Sequence, residues 1–227
     1  VGAELLRQVA AQIDSLRRER KIDVRVTGIL NSRKMVLSET GLTGVDWKAR
    51  LEADGKVADL AAFVEHLVPV HVPHSVLIDA TASADLPLRY PSWLERGIHV
   101  ISSNKKANAG TLEHYRALRE ASSRSQRHFL YSTNVGAGLP ILATLMSLQR
   151  TGDRVLSIEG VLSGTLSYLL NQFSGQVPFS AIVEDARARG YTEPDPRDDL
   201  SGMDVARKLV ILARETGVEL ELDDVQV

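Results

Sequence analysis

The sequence predicts an α/β chain in two parts, a parallel-sheet domain over residues 1–131 and a smaller α+β domain over residues 132–227. Three observations carry that expectation. Short apolar runs at 75–80, 99–101 and 128–131 alternate with helical periodicity at 86–96 and 111–121, the rhythm of β-α-β units. A crossover with two glycines, 132–140 (STNVGAGLP), ends the alternation, and beyond Gly152 the pattern changes character. An acidic stretch stiffened by Pro194 and Pro196 then packs carboxylates together in a way that makes a poor core and a good site.

Composition narrows the function. At 227 residues the chain can bury a sizeable core, and a net charge of −2 gives no reason to expect nucleic acid or an anionic membrane as a partner. No apolar run approaches a membrane span and no basic-then-apolar leader opens the chain, so a cytoplasmic location is expected. The sequence has no cysteine, which excludes disulfides, thiolate metal sites and aldehyde oxidation through a cysteine thioester within this segment. Direct hydride transfer to a carbonyl needs none.

Taken in order, Gly2 leads into the apolar set Leu5, Leu6, Val9, Ala10 and Ile13, a helix entered through a glycine. That is how the third glycine of a G-x-G-x-x-G fingerprint looks once the first strand and two glycines are absent, so the first domain is expected to be Rossmann-type and incomplete. The periodicity predicts a strand over 21–30. It ends Asn31-Ser32-Arg33-Lys34, with two cations and no acid, which suits the 2′-phosphate of NADP better than the ribose of NAD; a solvated basic loop is the alternative. Gly2, Asn31, Ser32 and Arg33 are the cofactor candidates here. Residues 35–67 read as short helices anchored by Trp47, Leu51, Leu60 and Phe63. His66, His71 and His74 do not read as a zinc set, because Pro69 and Pro73 separate them and no cysteine or acid completes a tetrahedron.

The run 75–80 (SVLIDA) suits a parallel strand buried on both faces, and Thr81 lies at its carboxyl end, where open α/β sheets bind ligands. Lys105 and Lys106 follow the next strand; alone, such a pair is usually solvated. Helices are predicted at 139–148 and 179–188, a strand at 155–162, and a capped helix start at 163–168 (SGTLSY). The last helix begins near Ser201, repeats Met203, Ala206, Leu209, Val210 and Ala213, and stops at Gly217. Asp204 and Lys208 share a face of it, and spacing alone makes them a surface ion pair.

The stretch 190–208 (GYTEPDPRDDLSGMDVARK) resembles the signature of homoserine dehydrogenases, as do NKKA at 104–107 and SGTLSY. The following LVILARETG looks most like the bacterial form fused behind an aspartate kinase. The resemblance implies NADP- or NAD-dependent interconversion of L-aspartate 4-semialdehyde and L-homoserine, in threonine, methionine and isoleucine biosynthesis. By it Lys208 and Lys105 are catalytic. Lys208 is general acid towards homoserine and Lys105 polarises the carbonyl oxygen. A lysine held in a cleft beside a second cation gives up its proton more readily than a free one, which suits that task. Asp204 positions Lys208 or the substrate, and Glu193 takes the substrate ammonium. Asp199, Tyr191, Thr165 and Gly164 complete the substrate pocket, and Thr81 faces the nicotinamide. A monovalent cation such as sodium is implied on the carbonyls of Val135, Ala137 and Leu139, although Ser132 stands where related sequences carry a carboxylate. A homodimer or higher homo-oligomer follows, with a substrate domain that is also incomplete. The alternative is a folded fragment that only dimerises.

Overall fold

The computed structural model describes the chain apart from residues 43–45, 69–71 and 193–194 and the side chain of Asp198. Helix α1 (Gly2–Ser15) opens it and continues into a wider turn that Lys21 ends in the left-handed region, φ +58°. The strand predicted over 21–30 forms only as β1 (Gly28–Leu30), and it joins no parallel sheet. It turns back antiparallel onto β2 (Lys34–Leu37), whose other edge pairs with β3 (Lys56–Val57). The cause is local: Asn31 Oδ1 accepts from the backbone N–H of Arg33 and of Lys34, each at 2.8 Å, which closes a tight hairpin. Residues 35–67 therefore hold strands as well as the expected short helices, α2 (Trp47–Ala53) and α3 (Leu60–Leu67).

The three apolar runs form a parallel sheet in the order β4 (Ser75–Asp79), β5 (Ile98–Ser102), β6 (Phe129–Leu130). Helix α4 (Tyr90–Glu95), the one-turn helix α5 (Lys106–Ala109) and helix α6 (Leu112–Ser125) make the crossovers. Leu77, Val100 and Phe129 pack with Tyr90, Leu94 and Leu118 in the main core. The opposite face departs from the expectation of a doubly buried strand, since Val76 and Ile78 are each 44% exposed. Successive strand side chains alternate faces, and only one face meets that core.

The rest is helical among the described residues: α7 (Ile141–Arg150), α8 (Gly164–Gln172), α9 (Phe179–Ala188), α10 (Pro196–Leu200) and α11 (Met203–Glu215). The segment predicted as a strand at 155–162 forms none, and Leu156 on it is 93% exposed. A strand needs a ladder partner, and none forms among the described residues. Helix α11 packs against α5 and α7, and its Ile211 and Leu212 enter the main core. Leu209, expected on the buried face, is 38% exposed, while Ala206 and Val210 are buried. No helix among the described residues is long and apolar enough to cross a membrane.

Candidate active site

Two parts of the chain that are distant in sequence meet beyond the carboxyl ends of β4 and β5. From the sheet comes Lys105, the residue that starts α5. From the other side comes α11, which begins at Gly202 with φ +70°, a conformation that favours glycine. Asp204 then lies in the first turn, where the helix dipole favours an acid, and Lys208 follows one turn later on the same face. Lys208 Nζ is 2.8 Å from Asp204 Oδ2, and Lys105 Nζ is 3.3 Å from Asp204 Oδ1, so each carboxylate oxygen takes one ammonium. Lys208 also donates to the carbonyl of Leu162 at 2.6 Å. Burial alone would raise the Asp204 carboxyl. The hydrogen bond from Lys208 and the charges of both lysines outweigh it, and the group sits below the usual carboxylate range. Asp204 is therefore anionic at neutral pH.

The two lysines open onto a cleft of about 330 Å³, walled by Leu162 and Gly164 on one side and by Asn134, Gly136, Ala137 and Leu139 on the other. A larger concavity of about 480 Å³ along 153–159 is formed by the unpaired segment and brings no such pair together. Two ammonium groups and one carboxylate around a small cleft can polarise an oxygen, deliver a proton to it and hold the donor in place.

The family profile described as the homoserine dehydrogenase NAD-binding domain matches residues 1–132, and the homoserine dehydrogenase profile matches residues 140–227. This chain belongs to the homoserine dehydrogenase family. The bifunctional aspartokinase/homoserine dehydrogenase 2 of Zea mays, a chloroplastic protein, is 51% identical over the whole chain, and the bifunctional relative of Haemophilus influenzae is 44% identical. The chain spans 25% of the maize relative and 28% of the bacterial one, about a quarter of their length. Among solved structures, a Candida auris protein of unknown function has TM-score 0.80 at 32% identity, covering 95% of this chain and 62% of that one. A hyperthermophilic archaeal homoserine dehydrogenase in complex with NADPH has TM-score 0.76 at 21% identity, covering 92% and 65%, a likeness of fold.

Within this chain, Lys105, Asp204, Lys208, Gly164, Ala137 and Leu139 gather around one cleft. A Cβ built on Gly164 meets nothing within 4 Å, so the glycine leaves that wall open. Val135 is fully buried. Thr165 Oγ1 donates to the carbonyl of Tyr191 at 2.7 Å, and the Tyr191 ring meets Tyr168 edge-on with centroids 5.1 Å apart. Asp199 sits on α10, and Glu193 lies outside the described residues. Gly2 stands beside Ala80, 3.6 Å from a Cβ built on it to that of Ala80, so the start of α1 reaches the strand end that carries Thr81. Asn31, Ser32 and Arg33 form the exposed hairpin turn instead, and Lys34 is tied to Glu52 at 2.6 Å. Lys106, the weaker lysine candidate, turns away and donates to the carbonyl of Ala82 at 2.8 Å.

Sequence reasoning passed over Leu162, which acts through its carbonyl and leaves no side-chain signal, and Asn134, a buried wall residue inside the crossover. It also missed a row of imidazoles at the amino ends of the parallel strands. His74 Nδ1 lies 3.2 Å from His99 Nε2, and His99 stacks on His128 with centroids 5.3 Å apart. The signal was a histidine at or next to the start of each apolar run. Of the other histidines considered for a metal, His66 lies 3.7 Å from Glu39 and His71 is outside the described residues.

Proposed function

We propose that the protein containing this chain interconverts L-aspartate 4-semialdehyde and L-homoserine with NADPH. The observation that carries the reading is the meeting of Lys105 and Lys208 on Asp204 at the mouth of one cleft, beyond the carboxyl ends of a parallel sheet. The dinucleotide fits the same end of the molecule. Gly2, in the first turn of α1, stands beside Ala80, the residue before Thr81, and a helix N-terminus suits a diphosphate. NADPH, when bound, supplies a hydride to the aldehyde carbon. Lys208 gives its proton to the oxygen that becomes the hydroxyl and recovers it from solvent, while Lys105 polarises that oxygen. In the reverse direction neutral Lys208 takes the hydroxyl proton.

Asp204 and the Leu162 carbonyl hold the Lys208 amine in place. Glu193 is assigned the substrate ammonium and Asp199 a second polar contact, with Gly164, Thr165 and Tyr191 as pocket wall. The preference for NADP over NAD rests on Arg33, because the neighbouring Lys34 is paired with Glu52. For a monovalent cation the loop offers left-handed Gly136 and Ala137, φ +82° and +51°, yet Leu139 O already accepts from Ile141 N at 2.8 Å and no carboxylate stands at Ser132. Three carbonyls without a carboxylate make a weak set, and no step depends on a cation there.

We assign residues 1–131 to the dinucleotide and 132–227 to substrate and dimer contacts. A homodimer is supported by the unpaired apolar segment around Leu156. Fusion to an aspartokinase is supported by the bifunctional relatives. The test is NADPH oxidation by the full-length protein with aspartate semialdehyde. Turnover that stops when the semialdehyde is omitted is expected; reduction of other small aldehydes at equal rates, or none of this one, would overturn the assignment.

A further inference from the structure

We infer that Asp79, a residue outside the cleft, is the positioning group that sets where the Lys105 ammonium stands. Asp79 ends β4 and is only 2% exposed. A carboxylate so deeply buried is costly unless each oxygen is engaged, and both are. Oδ1 accepts from the Thr81 N–H at 2.8 Å. Oδ2 accepts from the Tyr90 hydroxyl and from Asn104 Nδ2, the latter at 3.3 Å. Burial, then the bond to Asp79, pushes the Tyr90 phenol far above its ordinary range, so it remains a donor at any working pH.

The partners of those partners give the cluster its purpose. Asn104 directly precedes Lys105 and is held on every side. Its N–H donates to Ser102 Oγ at 3.0 Å, its Nδ2 donates to the carbonyl of Ser83 at 2.7 Å, and its Oδ1 accepts from the Lys106 N–H at 3.1 Å. Ser102 Oγ in turn lies 2.9 Å from the Tyr90 hydroxyl. The Asp79 carbonyl accepts from the Ser103 N–H at 3.1 Å. One buried carboxylate thus fixes the loop that follows β4, with Thr81, and the loop that follows β5, with Lys105. A hydrophobic residue at 79 would pack as well but would release both loops. On the proposed function, on which this inference rests, those loops carry the hydride side and the carbonyl-polarising side of one reaction, and their spacing is what Asp79 controls.

The experiment uses the full-length protein with Asp79→Asn and, separately, Tyr90→Phe, which keeps the buried ring. For each, kcat and KM for aspartate semialdehyde are measured across pH, together with the rate at which Lys105 is acetylated by a water-soluble anhydride, read by mass spectrometry. A group misplaced by about 1 Å costs up to about a hundredfold in rate, so kcat of Asp79→Asn is expected to fall at least about tenfold with KM within about twofold. Its kcat pH profile should shift, and Lys105 acetylation should change severalfold as the pair with Asp204 loosens. Tyr90→Phe should give a smaller change in the same direction. A lower melting temperature with unchanged kcat, pH profile and Lys105 reactivity would reduce Asp79 to a structural residue and overturn the inference. Should the parent protein lack the semialdehyde activity, the proposed function falls while the Lys105 reactivity still decides the positioning role.

Discussion

Asp204 takes one ammonium on each oxygen, and this sharing decides what its neighbours can do. While Asp204 is ionised it holds two cations close that would otherwise repel. The sign of its pH dependence follows from its lowered carboxyl: the arrangement is complete above the ordinary carboxylate range and is lost as pH falls through the depressed value. His99 contributes in the same direction for a different reason. Its Nδ1 accepts from the His128 N–H at 2.9 Å, and burial, then the charge of Arg127 and the neighbouring imidazoles, lower its affinity for a proton. The unfolded chain therefore binds a proton there more readily than the folded one. Stability should be full above the ordinary imidazole value and should fall as pH drops below it. Thermal unfolding of parent and His99→Asn from about pH 7 to about pH 5 should give a shallower decline in the variant. Parallel declines would remove His99 from the account.

At the scale of elements, α11 depends on how it begins. Gly202 is left-handed, and a Cβ there would come 2.1 Å from Val227 Cγ1. Val227 is 77% exposed and can move aside, so the strain of the backbone is the main cost. Gly202→Ala should lose about 1–2 kcal/mol by denaturant unfolding. An unchanged midpoint would contradict that reading. Much of this architecture was legible in the sequence: the predicted helix at 179–188 coincides with α9, and the apolar runs found their parallel sheet. The misreadings share one cause. Apolar periodicity reports which side chains seek burial but not what lies across the ladder. So 21–30 was read as part of the parallel sheet when the side chain of Asn31 turns it into a hairpin, and 155–162 was read as a strand although no partner forms among the described residues. The lysine pair was legible only through the resemblance, since i, i+4 spacing alone places Asp204 and Lys208 on any helix surface.

Across the whole molecule, the two sides of the cleft are locked together at the far end of α11. The Arg214 side chain is fully buried. Its Nη1 donates to the carbonyls of Asn108 and Gly110 at 2.8 and 2.7 Å, and its Nη2 pairs with Glu221 at 3.1 Å. Next to it Glu215 accepts from Arg119 and from the Tyr131 hydroxyl, each at 2.8 Å. Asn108 lies on α5, the short helix that Lys105 starts, so this clamp and the lysine pair hold the same two elements. Arg214→Met would leave the carbonyls of Asn108 and Gly110 without their donor and remove the ion pair to Glu221, and should cost about 3–5 kcal/mol, measured as a loss of unfolding free energy. A loss within about 0.5 kcal/mol would mean that the contacts are incidental.

The lysine that faces the cleft from α11 carries the central claim. In the full-length protein, Lys208→Ala should lower kcat for NADPH-dependent reduction of aspartate semialdehyde by about a hundredfold or more, with KM changed by no more than a few-fold. A Lys208→Ala enzyme that turns over at close to the parent rate would contradict it.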